Sequence, residues 1–451
     1  MSDDSPLTLE AIRECLDGAI PSAVATCASD GTPNVTFVSQ VHYVDCSHVA
    51  LSFQFFSKTR DNVLANRRAV ALVNHPVTAA KYRLELEYLR TETEGPLFEN
   101  MKAKLAGIAS HTGMAGIFRL RGSDVYRVLD ISSVRGKILS LPEPQHNLLT
   151  ALRVCSQRLA GSADFGRLLD DALGCLESLL DIRHSMVLVL DAAGSRLYTV
   201  ASRGYQPSGV GSEVAIGCGV IGVAAEQRTP IRITHMTAEY SYGRAIRESI
   251  EREGLGERLE TTIPLPGLAE SRSQLAVPIL TGERLFGVLY VESPEDLRFG
   301  YDDEDALVVL AAEIGIAMRQ LEPAGESADR PAAVAGTPRA PLSGPPATVR
   351  HYPADDSVFI DGDYLIKGVA GAILCKLVSE YLRERRTEFT NRELRLDPTL
   401  RLPDIGDNLE ARLILLERRL TERKAPLRIQ KTGRGRFRLR VERPLSLTEM
   451  R

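Results

Sequence analysis

The stretch Leu427-Arg-Ile-Gln-Lys-Thr-Gly-Arg-Gly-Arg-Phe-Arg-Leu-Arg-Val441 reads as two short strands joined by a tight turn. Ile429 and Lys431 alternate along the first arm, and Phe437, Leu439 and Val441 alternate with Arg436, Arg438 and Arg440 along the second. A period of two marks half-buried strands, and Thr432-Gly433-Arg434-Gly435 supplies the glycines that a tight connection requires. One face of this hairpin packs and the other is cationic. Just upstream, Leu409, Leu413, Leu416 and Leu420 mark an amphipathic helix within Asp407 to Lys424. Arg412, Arg418, Arg419 and Arg423 fall largely off that apolar stripe.

Further upstream, Val358-Phe-Ile-Asp and Tyr364-Leu-Ile-Lys read as short strands and Val369 to Leu382 as a helix. Thr390-Asn-Arg-Glu393 is a capping box opening a second helix. From Arg350 onward 22 Lys and Arg face 16 Asp and Glu, whereas residues 1–349 carry 33 and 43. Positive charge is thus concentrated at one end, most densely between Arg423 and Arg443, where nine basic residues face only Glu442. A basic hairpin alone is more often a blunted sheet edge. Helices followed by such a hairpin, however, resemble a winged-helix domain of the response-regulator (OmpR/PhoB) kind. That resemblance implies DNA as partner, with the last helix in the major groove and the wing on the backbone. Arg412, Arg418, Arg419, Lys431, Thr432, Arg434 and Arg436 are its candidate contacts. Glu410 and Glu417 depart from the pattern, since a carboxylate near phosphates repels.

Length and composition point to several domains. At 451 residues and 44% hydrophobic content the chain is long enough for about three packed cores. No apolar run approaches the ~20 residues of a membrane span, and Met1-Ser-Asp-Asp lacks the basic and apolar regions of a signal peptide, so a cytoplasmic location is expected. Seven scattered cysteines, never spaced as CxxC, indicate neither a disulfide framework nor a metal site. Residues 323–348 are dominated by Pro, Ala, Gly and Ser and read as a flexible tether. A softer boundary falls at Leu139-Ser-Leu-Pro-Glu-Pro-Gln145.

Between these boundaries, Leu148, Leu149, Leu152, Cys155 and Leu159 line one helix and Phe165 to Leu180 forms another. Met186 to Leu190, Leu197 to Ala201, Leu275 to Leu280 and Phe286 to Val291 read as strands, and Asp302 to Leu321 as a closing helix. Gly217-Cys-Gly-Val-Ile-Gly-Val-Ala-Ala225 and the pair Ala276-Val-Pro-Ile with Gly282-Glu-Arg-Leu-Phe-Gly-Val-Leu-Tyr-Val-Glu292 resemble a GAF domain. The resemblance implies a sensory module with a small-molecule pocket, for which Cys218, Tyr240 and Arg244 are candidates, and helices that pair across a homodimer. The long polar stretch Thr234 to Arg272 is either a functional lid or a mobile surface loop.

The first segment is strand-rich: Pro21 to Thr26, Pro33 to Ser39, His48 to Phe53, Ala69 to Val73 and Phe118 to Val128. Phe55-Phe-Ser-Lys-Thr-Arg-Asp-Asn-Val-Leu-Ala-Asn-Arg-Arg-Ala-Val70 is similar to the phosphate turn of the pyridoxamine-phosphate-oxidase split barrels. The resemblance implies FMN, with Ser57, Lys58 and Thr59 on its phosphate, Asn62 opening the helix, and Ser39 and Ser52 beside the ring. Val35-Thr-Phe-Val-Ser-Gln40 lacks the cation that this family carries there.

The expected fold is therefore multidomain α+β: a split β-barrel over 1–140, a GAF domain over 145–322, a linker over 323–348 and a winged helix over 349–443. The expected function is a ligand- or redox-responsive transcription regulator acting as a homodimer, without contact to a membrane. No catalytic residue is assigned. An FMN-dependent oxidoreductase carrying regulatory modules, or an adaptor whose winged helix contacts protein, stands beside it.

Overall fold

The computed structural model describes residues 7–16, 20, 22–38, 40–53, 58–95, 97–98, 100–102, 105, 120–141, 147–191, 193–233, 263–321, 344–400, 409–433 and 435–450. Ser39, Ser57, Tyr240, Arg244, Arg434 and most of the expected tether lie outside them.

The first segment forms one seven-stranded antiparallel sheet in the order β2-β1-β5-β6-β7-β4-β3. Its strands are β1 (Ser22–Cys27), β2 (Pro33–Val38), β3 (Val41–Asp45), β4 (His48–Phe53), β5 (Arg68–Asn74), β6 (Lys81–Glu92) and β7 (Gly122–Val134), with helix α1 (Lys58–Asn66) between β4 and β5. Strands β3 and β6 were not foreseen in the sequence. In β6 the alternation is nonetheless clear: Leu84, Leu86 and Tyr88 are buried, while Arg83 pairs with Glu85 and Glu87 with Arg127 on the outer face.

The middle segment is a six-stranded antiparallel sheet in the order β10-β9-β8-β13-β12-β11. These strands are β8 (His184–Leu190), β9 (Arg196–Arg203), β10 (Glu213–Ala215), β11 (Ile231–Ile233), β12 (Ser273–Thr281) and β13 (Arg284–Ser293). Helices α2 (Leu148–Ala160), α3 (Phe165–Leu180) and α5 (Tyr301–Leu321) share a buried core with Val187, Leu275, Leu289 and Val291 on one face. Helix α4 (Gly219–Gln227) covers the other, against Met186, Leu188, Ala276 and Val288. Asp164 caps α3 by accepting from the Arg167 amide at 3.0 Å. Glycine is needed at 287, where an added Cβ would meet the Leu188 carbonyl oxygen at 1.9 Å.

The C-terminal segment holds two sheets, β16-β15-β14-β20 and β17-β19-β18. Strands β14 (Ala347–Tyr352), β15 (Ser357–Ile360) and β16 (Asp363–Ile366) precede helix α6 (Gly368–Glu384). Then follow β17 (Glu388–Thr390), α7 (Asn391–Leu396), α8 (Leu409–Glu422), β18 (Leu427–Gly433), β19 (Arg436–Val441) and β20 (Leu445–Glu449). The Thr390 hydroxyl accepts from the Glu393 amide at 3.2 Å, so Thr390 caps α7 as expected; the Glu393 carboxylate does not complete a capping box but is held by Arg386 at 2.6 Å. The hairpin β18–β19 pairs as its alternation predicts, with Ile429 opposite Leu439. Strand β20 lies beyond the boundary placed at 443 and pairs in parallel with β14. No described helix is long and apolar enough to cross a membrane.

Contacts join the first and middle segments. Arg13 and Arg232 lie over the Tyr301 ring, each with its guanidinium carbon 4.3 Å from the centroid. The Tyr301 hydroxyl donates to the Leu16 carbonyl at 3.3 Å.

Candidate functional site

Helix α8 has two apolar faces where the sequence reading found one. Leu409, Leu413, Leu416 and Leu420 pack into the C-terminal core as expected. Its opposite side is not left to solvent: Ala411 is buried in the core of the middle segment and Ile414 packs against it, beside Gly166 on α3. In return Val210, from the loop after β9, is buried in the C-terminal core.

The arginines of α8 follow that geometry. Arg418 donates to Asp170 at 2.7 Å and to the carbonyls of Val200 and Gly166 at 3.2 and 3.4 Å. Arg412 is 8% exposed and lies over the Tyr198 ring of β9 at 4.6 Å. Arg419 is 3% exposed; it donates to the Leu365 carbonyl at 3.0 Å and to Glu422 at 2.7 Å. Burial lowers its affinity for the proton, and Glu422 raises it in part. The sequence places Arg419 among the DNA-facing arginines; its side chain is instead an interior one, two turns after the equally buried Arg412 and on the same face of α8.

The two carboxylates that departed from the family pattern belong to the same contact. Burial holds the Glu417 carboxyl above its ordinary value, and Asp164 and Asp170 push it further against the pull of Arg418 and Lys431. Glu410 lies 3.9 Å from Lys431, which is also 3.9 Å from Asp164. Glu422 is fixed by the Ser208 hydroxyl and amide at 2.7 and 3.2 Å, and Lys367 reaches Glu213 on β10 at 3.3 Å. On the hairpin, Thr432 and Arg436 are exposed.

In the middle segment Cys218 is exposed at the start of α4, between Gly217 and Gly219 at φ +78° and +62°. The α4 side of the sheet carries a buried carboxylate that the sequence reading missed. Glu292 is 2% exposed and accepts from the Leu268 amide at 2.9 Å and the Tyr290 hydroxyl at 3.4 Å. Burial pushes the Tyr205 phenol well up, with Glu292 adding to it. A glutamate at the end of a hydrophobic strand was the available signal.

At the start of α1, Lys58 is exposed and the Thr59 hydroxyl accepts from Asn34 at 2.8 Å. Asn62 is buried and donates to Thr26 at 3.1 Å. Ser52 and Ser123, opposite each other in register, have buried hydroxyls without a partner among the described residues. A cation and a hydroxyl at a helix start suit a phosphate, and orphaned hydroxyls on adjacent strands suit a polar ring edge. The described residues therefore fit FMN at both ends. Arg60, which was not singled out, is committed elsewhere: it grips Asp124 at 2.6 and 2.8 Å, donates to Thr91 at 3.1 Å and lies 3.9 Å from the Phe53 ring centroid.

Among solved structures, the chain is similar to the GAF domain of an Acinetobacter phosphoenolpyruvate-protein phosphotransferase (21% identity, 40% of this chain and 96% of that one, TM-score 0.31). It is also similar to a free methionine-R-sulfoxide reductase from Neisseria meningitidis (18% identity, 40% and 98%, TM-score 0.30). A third is an FMN-binding protein from Syntrophomonas wolfei (19% identity, 28% and 92%, TM-score 0.23). No curated protein matches the chain. The family model of the GAF domain matches residues 164–318, so the six-stranded middle sheet, with α3, α4 and α5 on its two faces, is a GAF domain.

Proposed function

We propose that this protein is a ligand-responsive transcription regulator whose DNA-reading helix is held against its own sensor domain. The observation that carries this reading is the double engagement of α8, with its leucines in the C-terminal core and Ala411, Ile414, Arg412 and Arg418 on the GAF domain. The order of the C-terminal segment, three helices and then the basic hairpin β18–β19, supports a winged helix. In that fold the face of α8 opposite its leucines is the one that meets DNA. Docked on α3 and β9, it is covered; the exposed part of the wing, with Thr432 and Arg436, is left for backbone contact, while Lys431 is drawn toward Asp164 and Glu410.

A small molecule above Glu292 on the GAF sheet would then act by changing the α3–β9 surface that holds α8, a coupling of two sites through one bistable contact. FMN in the first segment is a second input, its phosphate on Lys58 and Thr59 and its ring near Ser52. When bound it would supply reversible redox chemistry. The protein would work as a homodimer: Leu149 on α2 and Val308, Val309 and Ile316 on α5 expose apolar surface on neighbouring helices of the GAF domain.

Fluorescence anisotropy with duplex DNA at two salt concentrations tests the reading. Salt-sensitive binding that rises when the α3–α8 contact is broken is expected; absence of binding in both forms would end it. The covered α8 face also favours a second reading, in which the C-terminal domain contacts only protein, and that outcome would support it.

A further inference from the structure

We propose that the C-terminal domain carries a transition-metal site of the zinc class, built by His351, Cys375 and Glu449. It is independent of the docked face of α8 and lies on the other sheet of the domain.

Three elements bring these residues together. His351 on β14 and Glu449 on β20 are register partners in the parallel pair, and the Met450 amide donates to the His351 carbonyl at 2.8 Å. Cys375 lies on α6, and Gly371 one turn earlier lets that helix approach the β14–β15 turn so closely that an added Cβ would sit 1.9 Å from the Asp356 carbonyl oxygen. A ring nitrogen of His351, the Cys375 sulfur and a Glu449 carboxylate oxygen then lie within 4.8 Å of one another. Ligands around a tetrahedral zinc sit roughly 3.3–3.8 Å apart for bonds of about 2.0–2.3 Å. Glu449 is the exposed member of the three and the one freest to adjust.

The state of His351 is the second observation. The residue is 7% exposed; its Nε2 is held by Asp356 at 3.0 Å, while its Nδ1 is buried and has no partner among the described residues. A buried ring nitrogen without a partner is costly. A carboxylate on one ring nitrogen with the other free is the arrangement by which an imidazole is oriented and made basic toward a metal. The group lines a cavity of about 340 Å³ whose wall also carries Lys376, Glu380 and Arg383. Lys376 is paired with Glu380 and Asp397, and Arg383 with Glu384, so the nearby cations are already neutralised. Thiolate, imidazole and carboxylate together select zinc or a neighbouring first-row ion over calcium or magnesium, and the cavity leaves a fourth position for water. Binding releases the thiol proton and ties β20 to β14 and α6.

Cobalt(II) added to the full-length, chelator-treated protein reads the site directly. The expected result is one equivalent bound per chain with a thiolate-to-cobalt charge-transfer band, displaced by zinc. The band should vanish in Cys375→Ser. Glu449→Gln should weaken zinc binding by at least about ten-fold with the circular dichroism unchanged. A natively folded wild type without the band would overturn the proposal. So would a band that survives Cys375→Ser, which would place the metal on an exposed thiol such as Cys46 or Cys218. If Cys375→Ser does not fold, Glu449→Gln decides alone, and unchanged affinity there rejects the site.

Discussion

Arg418 on α8 and Asp170 on α3 form a charge-assisted hydrogen bond of 2.7 Å between segments 248 residues apart, and the same guanidinium is shared with two GAF carbonyls. Asp170→Lys sets a like charge against Arg418 while leaving every residue of the C-terminal domain intact. DNA affinity measured by anisotropy is expected to rise by about ten-fold, the middle of the range for allosteric coupling energies. Hydrogen exchange should show the α8–α3 contact opening. Opening without a gain in affinity would separate docking from control.

Ile316 is 49% exposed on α5, beside exposed Val308 and Val309. Ile316→Glu leaves the GAF core untouched and should convert a dimer to a monomer. Light scattering after size exclusion measures the mass; a variant that stays dimeric would move the interface elsewhere.

Arg60 and Lys58 are two residues apart in α1 and should behave oppositely. Asp124 is 8% exposed at its side chain and gripped by Arg60, so Arg60→Ala strands a buried carboxylate and should cost about 3 kcal/mol in the first domain by urea unfolding. Lys58→Ala, at an exposed position, should leave stability within about 0.5 kcal/mol and reduce retention of FMN seen by absorbance. Equal stability losses would show that Lys58 is structural.

Burial opposes ionisation of Asp397, but Lys376 and Thr399 outweigh it and hold its carboxyl at about 2, below the ordinary 3.8. A depressed native value means stability is fully present above pH 4 and lost as the pH falls toward 2. Thermal unfolding followed in that window should lose about 2 kcal/mol that Asp397→Asn does not lose. Identical acid profiles for the two proteins would refute the assignment.

Local pattern carried much of the architecture. Strands β8, β9, β12 and β13, helix α5 and the hairpin β18–β19 carry local patterns, and local pattern is what a single sequence displays; β10 and β11, three residues each, are too short to show one. Strand β6 shows the weakness of that signal: charged residues dominate its outer face, so Leu84, Leu86 and Tyr88 were passed over. The pairing of Arg60 with Asp124, the His351–Cys375–Glu449 cluster and the docking of α8 join positions far apart in the chain. Nothing local marks such partners. Glu410 and Glu417 were the exception: they were unsuited to a free phosphate-facing helix, and their place beside Lys431 and Arg418 in a protein contact accounts for them.

The parallel pairing of β20 with β14 sets an order of events during synthesis. Residues 347–351 cannot complete their sheet until residues 445–449 have left the ribosome, nearly a hundred positions later. The GAF segment, whose own contribution to its core runs to Met318 and lacks only Ala411 of α8, is by then already exposed and able to fold. The docking surface for α8 is therefore expected to be in place before the C-terminal domain can close around that helix. Ribosome-stalled chains ending before β20 should resist protease over the GAF segment but not over α6 and α8; protection of both would show that the last strand is dispensable for that first closure.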